Sequence, residues 1–477
     1  MERDGGGDAV LDPQRGLCPS GLGLAQAEVK GILSSWNGKK IIVVGMGRSG
    51  VAAGEWLLGQ KAEVTMFDES TDPALAEVGL RMKARGAKVV TGQRSVVGKG
   101  FDRAILSPGI SPDRPIVLEL KGAGVPMLGE LELGAQACLC PVVAVTGTNG
   151  KSTTTELITQ ILQAAEKRAV ACGNYGKPLC EVAPLSRDLD WAVAEVSSFQ
   201  LETIDTFRPR IAVYLNLTPD HLDRYSTMEA YAAAKARIFE NQKAEDVAVI
   251  NKGLVLPKGR ARKIVFTAEA TGAEYTLQEG WLCAHGEKVM RQDATKLRGE
   301  HNAENLLAAL AVADAMEISR EVVKKVFSSY QALPHRCEVV AVRAGVTWIN
   351  DSKATNLDAM ERAVSGLVGP VILIAGGKDK GFDVRTSRPA LEGKVRAVFL
   401  IGEMAEKMEK AWSGGMPCRR VQDLGEAVRR AAEMAREGEN VLLSPGCSSY
   451  DQFKNFEERG EKYRQCVIAL PQEEKKP

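Results

Sequence analysis

From Lys40 onward the chain alternates short apolar runs with stretches whose apolar positions return every three or four residues. The first kind of segment reads as strand and the second as helix. Strand-like runs occur at IIVVG, AEVTMF and RAILS, then at PVVAVTG, WAVAEV, IAVYLNL and VAVINK, and last at VTWIND, VILIAGG, AVFLIG and NVLLSPG. HNAENLLAALAVADAM is the clearest of the helical stretches between them. Strands that alternate with helices in this way predict parallel α/β units.

The runs fall into three blocks, residues 38–129, 130–332 and 333–477, each expected to be an α/β domain. Ahead of them, residues 1–37 are rich in Gly, Asp and Pro without clear periodicity, and a partly mobile extension is expected there. No repeat of 20 to 50 residues is evident, which removes solenoid architectures. At 477 residues the chain is too long for a single core, in keeping with three domains.

Composition narrows the partners. Hydrophobic residues at 44% and charged ones at 26% make an ordinary globular mixture. A net charge of +1, from 62 basic and 61 acidic residues, gives no global field toward nucleic acid or an anionic membrane, so an anionic ligand must be held locally. The sequence offers neither an apolar run of about 18 residues nor the apolar stretch of a signal peptide, and a cytoplasmic location is expected. Ten scattered cysteines without a CxxC pair read as reduced thiols; Cys138-Leu-Cys140 and Cys283-Ala-His285 lack the second half of a metal site.

Chemistry concentrates at the ends of the strand-like runs. After PVVAV comes Gly147-Thr148-Asn149-Gly150-Lys151-Ser152-Thr153, opening a helix. Such a loop presents backbone N–H groups and a helix N-terminus to a polyphosphate, with Lys151 reaching outer oxygens and Ser152 or Thr153 suited to Mg²⁺. It departs by one step from the usual phosphate-loop spacing, since the first glycine falls at Gly147 and not at Val145.

A second glycine signature, Gly45-Met-Gly47-Arg48-Ser49-Gly50, follows IIVV, and Asp68 ends the next strand. It reads as a nucleotide fingerprint, or as glycines that ease helix–sheet packing. Ser107-Pro108-Gly109 lies at the carboxyl edge of the same sheet.

Glu195 ends WAVAEV at the edge that carries the phosphate loop, where a Mg²⁺ ligand or a buried, salt-bridged glutamate is expected. His221 stands between Asp220 and Asp223, groups able to orient it or hold a metal. His301 and His335 read as capping or surface residues, with the amides of Asn302 and Asn305 on one helix face the better ligand groups. In the third block, Asp351-Ser-Lys353-Ala-Thr355-Asn356 and the loop Gly376 to Gly381 place charge at strand ends, suited to closing over an acidic substrate.

TGTNGKST, EVSSFQLE, NLTPDHLDRY, YAAAKARIF, HNAEN, LPHRCE, NDSKATN and SPGCSSYDQFKNFEERG together resemble the Mur ligases, over residues 38 to 465. Within that family SSFQLE, DHLDRY, DSKATN and SPGCSSYDQF are most similar to the member that joins D-glutamate to UDP-N-acetylmuramoyl-L-alanine. The resemblance implies a Rossmann-like N-terminal domain for the UDP moiety, a central P-loop ATPase domain with a mainly parallel sheet, and a Rossmann-like C-terminal domain for the amino acid. It implies a carboxylate that takes the γ-phosphoryl of ATP to form an acyl phosphate, which the amine of D-glutamate then attacks.

Carried onto this sequence, the resemblance makes Lys151 and Ser152 phosphate and first-Mg²⁺ groups. Glu195 and His221 form the region of a second Mg²⁺, together with Lys235 as a carbamate; by its spacing alone Lys235 reads as a helix-surface lysine. Asn302, Asn305, Arg336 and Asp351 match ATP contacts. Arg48, Ser49, Asp68, Ser107, Pro108, Gly109 and Asn174 match the UDP substrate, with Glu69 and the GGKDKG loop looser matches. Lys353, Thr355, Lys380, Ser449 and Phe456 match D-glutamate.

A monomer without nucleic-acid or membrane partners is expected. The rival readings are another Mur ligase or a folylpolyglutamate synthase-like ligase, an NAD-dependent dehydrogenase suggested by GMGRSG and Asp68, and a catalytically silent nucleotide-binding regulator.

Overall fold

A computed structural model describes residues 36–96, 100–222, 224–254, 259–331 and 333–471; the extension before residue 36, Asp223 and the tail beyond 471 lie outside them. The apolar runs become three sheets. In the first, strands Lys88–Thr91, Glu63–Asp68, Lys40–Val44, Arg103–Leu106 and Met127–Gly129 lie side by side in that order, all parallel. Ile41, Ile42, Val43 and Val44 are buried, as expected of a strand covered on both faces. Helix Arg48–Gly59 packs on this sheet through glycine: a Cβ on Gly54 would meet Met66 Sδ at 2.6 Å, and one on Gly50 would meet the Gly45 carbonyl oxygen at 1.8 Å. The packing role weighed for these glycines therefore holds for Gly50.

The second sheet has nine strands. From Ala169–Gly173 through Trp191–Glu195, Val142–Thr146, Ile211–Tyr214, Val247–Asn251 and Arg262–Thr267 to Tyr275–Gln278 it is parallel; Trp281–Ala284 and Glu287–Arg291 extend it as an antiparallel meander. Helix Glu300–Ala315 is buried along nearly its whole length because Ala and Leu fill it on all sides, packed in one core with Leu157, Ile158 and Ile161 of helix Lys151–Ala164.

The third sheet runs Glu338–Arg343, Val346–Asn350, Asn440–Leu443, Val371–Gly376, Val395–Ile401, Cys418–Arg420, parallel except for the first pair. The α/β class with mainly parallel sheets is as the sequence predicts.

Helix Glu130–Ala137 joins the first sheet to the second. The buried Glu132 carboxylate accepts N–H bonds from Asp205, Thr206 and Phe207 at 2.9, 3.0 and 2.9 Å. Burial opposes its charge, but these donors prevail and lower its pKa.

On the same helix Gly134 touches main chain: a Cβ would stand 2.7 Å from Cys180 N and 2.8 Å from the Leu179 carbonyl carbon. Backbone cannot step aside as a side-chain tip can. Gly134→Ala should therefore cost about 1–3 kcal/mol of unfolding free energy by urea titration. Gly59→Ala, where a Cβ meets nothing within 4 Å, should leave stability unchanged or slightly raised.

Candidate active site

Strand Val142–Thr146 delivers the chain into the phosphate loop, and helix Lys151–Ala164 leaves it. Gly147 and Gly150 take φ of 151° and 84°, a region costly for other residues. A Cβ on Gly150 would also collide with Asn305 Oδ1 at 2.1 Å, so helix Glu300–Ala315 presses an amide against the loop. From the other side Asn216 Oδ1 accepts from the N–H groups of Thr148 and Asn149 at 3.1 and 2.9 Å, and its Nδ2 donates to the Asn149 carbonyl at 3.1 Å. Asn216 was not singled out from sequence, although it ends the run IAVYLN; an amide at the mouth of a neighbouring strand was the available signal.

Lys151 folds back on its own loop, donating to the carbonyls of Gly147 at 3.0 Å and Thr148 at 2.7 Å. Ser152 Oγ donates to Glu195 Oε2, and Asn174 Nδ2 donates to Glu195 Oε1 at 2.7 Å. Glu195 is buried. Burial favours its neutral form, yet the charges of Lys151 and Lys353 and its two side-chain hydrogen bonds outweigh that and hold its pKa below the ordinary value. It is thus a buried glutamate set at the phosphate edge without a direct ion pair among the described residues.

Lys235 corrects the surface reading. Its side chain is 1% exposed, inside helix Met228–Ala236, with Nζ 2.7 Å from the Gly147 carbonyl and 4.6 Å from the centre of the Tyr231 ring. Burial first, and then the Lys151 charge, drive its pKa well down. Lys151 and Lys235 therefore converge on one carbonyl oxygen, and no carboxylate among the described residues forms an ion pair with either.

His221 has a left-handed backbone, φ 55°, and its ring packs 4.6 Å from that of Phe199. Burial brings its pKa down to about 4, against the pull of Asp220, whose Oδ2 lies 3.6 Å from His221 Nε2. The imidazole is neutral at pH 7. Asp223, its other expected neighbour, lies outside the described residues.

The third domain faces this cluster. Lys380 Nζ pairs with Asp220 Oδ1 at 3.1 Å, and Asn356 Nδ2 donates to Asp220 Oδ2 at 3.2 Å. Lys353 lies 3.8 Å above the Phe456 ring; burial and then Arg336 lower its pKa to about 8. Asp351 is buried, and both its oxygens are engaged, one by Ser444 Oγ at 2.8 Å and the other by Cys337 N–H at 3.1 Å. Burial raises its pKa to about 6. Asn305 Nδ2 donates to Asn302 Oδ1 at 3.3 Å, so the two amides share a helix face as expected. Ser449 is buried, its carbonyl accepting from Gln452 and Phe453 N–H. Thr355 is half-buried in the loop between Lys353 and Asn356.

The residues matched to the UDP substrate do not share one pocket. A cavity of about 330 Å³ at the edge of the first sheet is lined by Asp68, Glu69, Ser70, Arg94 and Arg114 with Ile110 and Ile116. Asp68 there holds the glycine loop, accepting from Met46 N–H and Ser70 N–H at 2.8 and 2.9 Å. Arg94 and Arg114 carried no sequence signal, being single cations in loops.

Ser107 and Pro108 line a neighbouring cavity of about 530 Å³ that reaches Phe199, Glu202 and Arg224 of the second domain. Ser49 and Gly109 line neither cavity. Arg48 donates to the Gly176 carbonyl at 2.6 Å, and Asn174 sits on Glu195, lining neither cavity.

Among the described residues no group of three or more His, Cys, Asp or Glu gathers as a metal cage, and no helix is long and apolar enough to cross a membrane. Ser152 and Glu195 instead form the open half of a site that a Mg²⁺ ion can complete with phosphate and water oxygens, its usual company.

Fold and site define a three-domain α/β enzyme built around a polyphosphate-binding loop. Family models match in three places: Mur ligase MurD-like, N-terminal domain over residues 39–129, Mur ligase middle domain over 145–313, and Mur ligase, glutamate ligase domain over 335–447. The UDP-N-acetylmuramoylalanine--D-glutamate ligase of Acidobacterium capsulatum is 39% identical over 451 residues, which are 91% of this chain and 96% of that one. UDP-N-acetylmuramate-alanine ligase MurC from Thermotoga maritima has the same fold, with a TM-score of 0.60 at 18% identity over 91% of this chain and 100% of that one. MurF ligase from the same organism, in complex with ADP, gives 0.57 at 16% identity over 85% and 95%. The chain belongs to the Mur ligase family.

Asp220 supplies a pH test. Burial opposes its ionisation, but Lys380, His221 and Asn356 overcome this and lower its pKa from 3.8 to about 2. A pKa lower in the folded chain than in the unfolded one gives stability that is full above the unfolded value and is lost as pH falls through the folded one. The stability gap between wild type and Asp220→Asn in urea should shrink by roughly 2 kcal/mol between about pH 6 and pH 2.

Proposed function

We propose that this chain is an ATP-dependent ligase that adds D-glutamate to UDP-N-acetylmuramoyl-L-alanine in the synthesis of peptidoglycan precursors. The observation that carries this reading is the approach of the third domain to the phosphate loop, where Asn356 donates to Asn149, Lys380 pairs with Asp220 and the charge of Lys353 acts on Glu195. The 39% identity to a ligase of that name over 91% of the chain supports the substrates. The three domains divide at 129/130 and 332/333.

In this reading ATP lies along Gly147 to Thr153, with its nucleoside toward Asn302, Asn305, Arg336 and Asp351. The UDP moiety takes the cavity at Asp68, with Arg94 and Arg114 beside its phosphates, and the acyl end of that substrate reaches Asn174 and His221. A carboxylate oxygen of the substrate attacks the γ-phosphorus and ADP leaves. The D-glutamate nitrogen then attacks the acyl carbon, phosphate departs and the nitrogen gives up a proton. Lys151 and the loop N–H groups meet the charge that builds on the transferred group. Lys380 and Lys353 neutralise the carboxylates of D-glutamate, held beside Thr355, Ser449 and Phe456.

Mg²⁺ would be held by Ser152 and Glu195, with a second ion near Glu195, His221 and Lys235; when bound, it would offset phosphate charge. Lys235 suits carbamylation, because burial and the neighbouring Lys151 charge disfavour its protonated form. A bond from the unprotonated nitrogen to CO₂, with release of one proton, turns that amine into an anion facing Lys151. The reading includes a monomer working in the cytoplasm without nucleic-acid or membrane partners.

Phosphate release should rise sharply with UDP-N-acetylmuramoyl-L-alanine plus D-glutamate, and stay at background with meso-diaminopimelate or folate substrates; equal rates across that panel would sink the assignment. Lys151→Ala should lower kcat by about 100-fold or more. Lys235→Ala should lose activity and regain part of it with added acetate or bicarbonate, whereas full unassisted activity would remove the carbamate.

A further inference from the structure

The roles given above leave Asp358 unused. It stands in the first turn of helix Leu357–Gly366 in the third domain, yet its Oδ2 accepts from Asn149 Nδ2 at 2.6 Å and from Thr218 Oγ1 at 3.1 Å, both in the central domain. Asn149 is part of the phosphate loop. Thr218 is tied to that loop as well, through its N–H to Thr148 Oγ1 at 3.0 Å.

Arg362, one turn along the same helix, pairs with the Asp358 carboxylate at 3.0 Å, so its charge is balanced from its own side while its lone pairs reach across. Asn356 adds to the contact. Its Oδ1 caps the helix by accepting from Ala359 N–H at 2.9 Å, leaving Nδ2 to donate to Asn149 Oδ1 at 3.3 Å and to Asp220.

We propose that Asp358 is a positioning residue. With Asn356 it latches the third domain onto the side chain of Asn149, and so sets the distance between the loop that holds ATP and the loops that hold the incoming amino acid. What is positioned rests on the ligase reading; the latch does not. The Asp358 side chain is 23% exposed, so its removal opens the contact to water without leaving a cavity. The fold should therefore tolerate the change while the two half-sites drift apart.

Asp358→Ala in the full chain should raise the KM for D-glutamate about tenfold and lower kcat, the scale of losing a hydrogen bond to a charged group. The KM for the UDP substrate, held by the first domain, should stay within about twofold and the thermal midpoint within a few degrees. Asp358→Asn, which keeps an acceptor oxygen, should fall between. Thr218→Val should add little in the Asp358→Ala background, since both remove the same bond. With Mg²⁺ and a β,γ-imido ATP analogue, small-angle scattering should give Asp358→Ala a larger radius of gyration than wild type.

Wild-type scattering together with an unchanged D-glutamate KM would overturn the proposal. So would a parallel rise in every KM with a large fall in thermal midpoint, which marks a merely structural residue. A scattering difference in a protein that never turns over these substrates would leave the latch standing and remove the ligase reading instead.

Discussion

A loop that keeps some of its N–H groups for phosphate has too few left to hold its own shape. The shape must come from outside. Here it comes from Asn216, which takes the N–H groups of Thr148 and Asn149, from Asn305 pressed into the space that Gly150 leaves open, and from Lys235 on the Gly147 carbonyl, to which the loop's own Lys151 also donates. Asn216, Asn305 and Lys235 reach the loop from three different elements, so the order of the central strands and the burial of helix Glu300–Ala315 are conditions for the loop's shape.

The same requirement explains the charge around it. Lys235 is buried and Lys151 and Lys353 are half-buried around the loop, all three with pKa values held down, while Glu195 and Asp220 stay ionised against their burial. Cations set close together in a dry site are costly on their own and are relieved by an incoming polyanion. Preorganised charge of this kind stabilises a transferring phosphoryl group without reorganisation at the moment of reaction.

Much of this was legible in sequence because it rests on local pattern. The central strands announced themselves as unbroken apolar runs, and the phosphate loop by its glycines and lysine. The short strands Met127–Gly129 and Cys418–Arg420 did not, since three residues give no period to read. Lys235 was legible only by resemblance. Its helix, MEAYAAAKA, has small residues on every side, and no periodicity separates a face turned to water from one that Tyr231 and the loop cover. Asn216 was missed for a related reason: its partner, the phosphate loop, is remote in sequence and becomes its neighbour only through the topology.

Glu132 has a consequence for how the molecule is divided. By gathering three backbone N–H groups of the central domain it ties helix Glu130–Ala137 to that domain, while Leu133 and Ala137 of the same helix pack in the core of the first sheet. At Gly129, where the last strand of the first sheet passes into this helix, any side chain would strike Thr203 Oγ1, 2.1 Å from the Cβ position. Ahead of Gly129 the first sheet is not detached: helix Arg48–Gly59 shares one apolar core with Leu133, Ala137, Cys180 and Ala183 behind it, so a change in the packing of that sheet is carried into the domain that bears the phosphate loop.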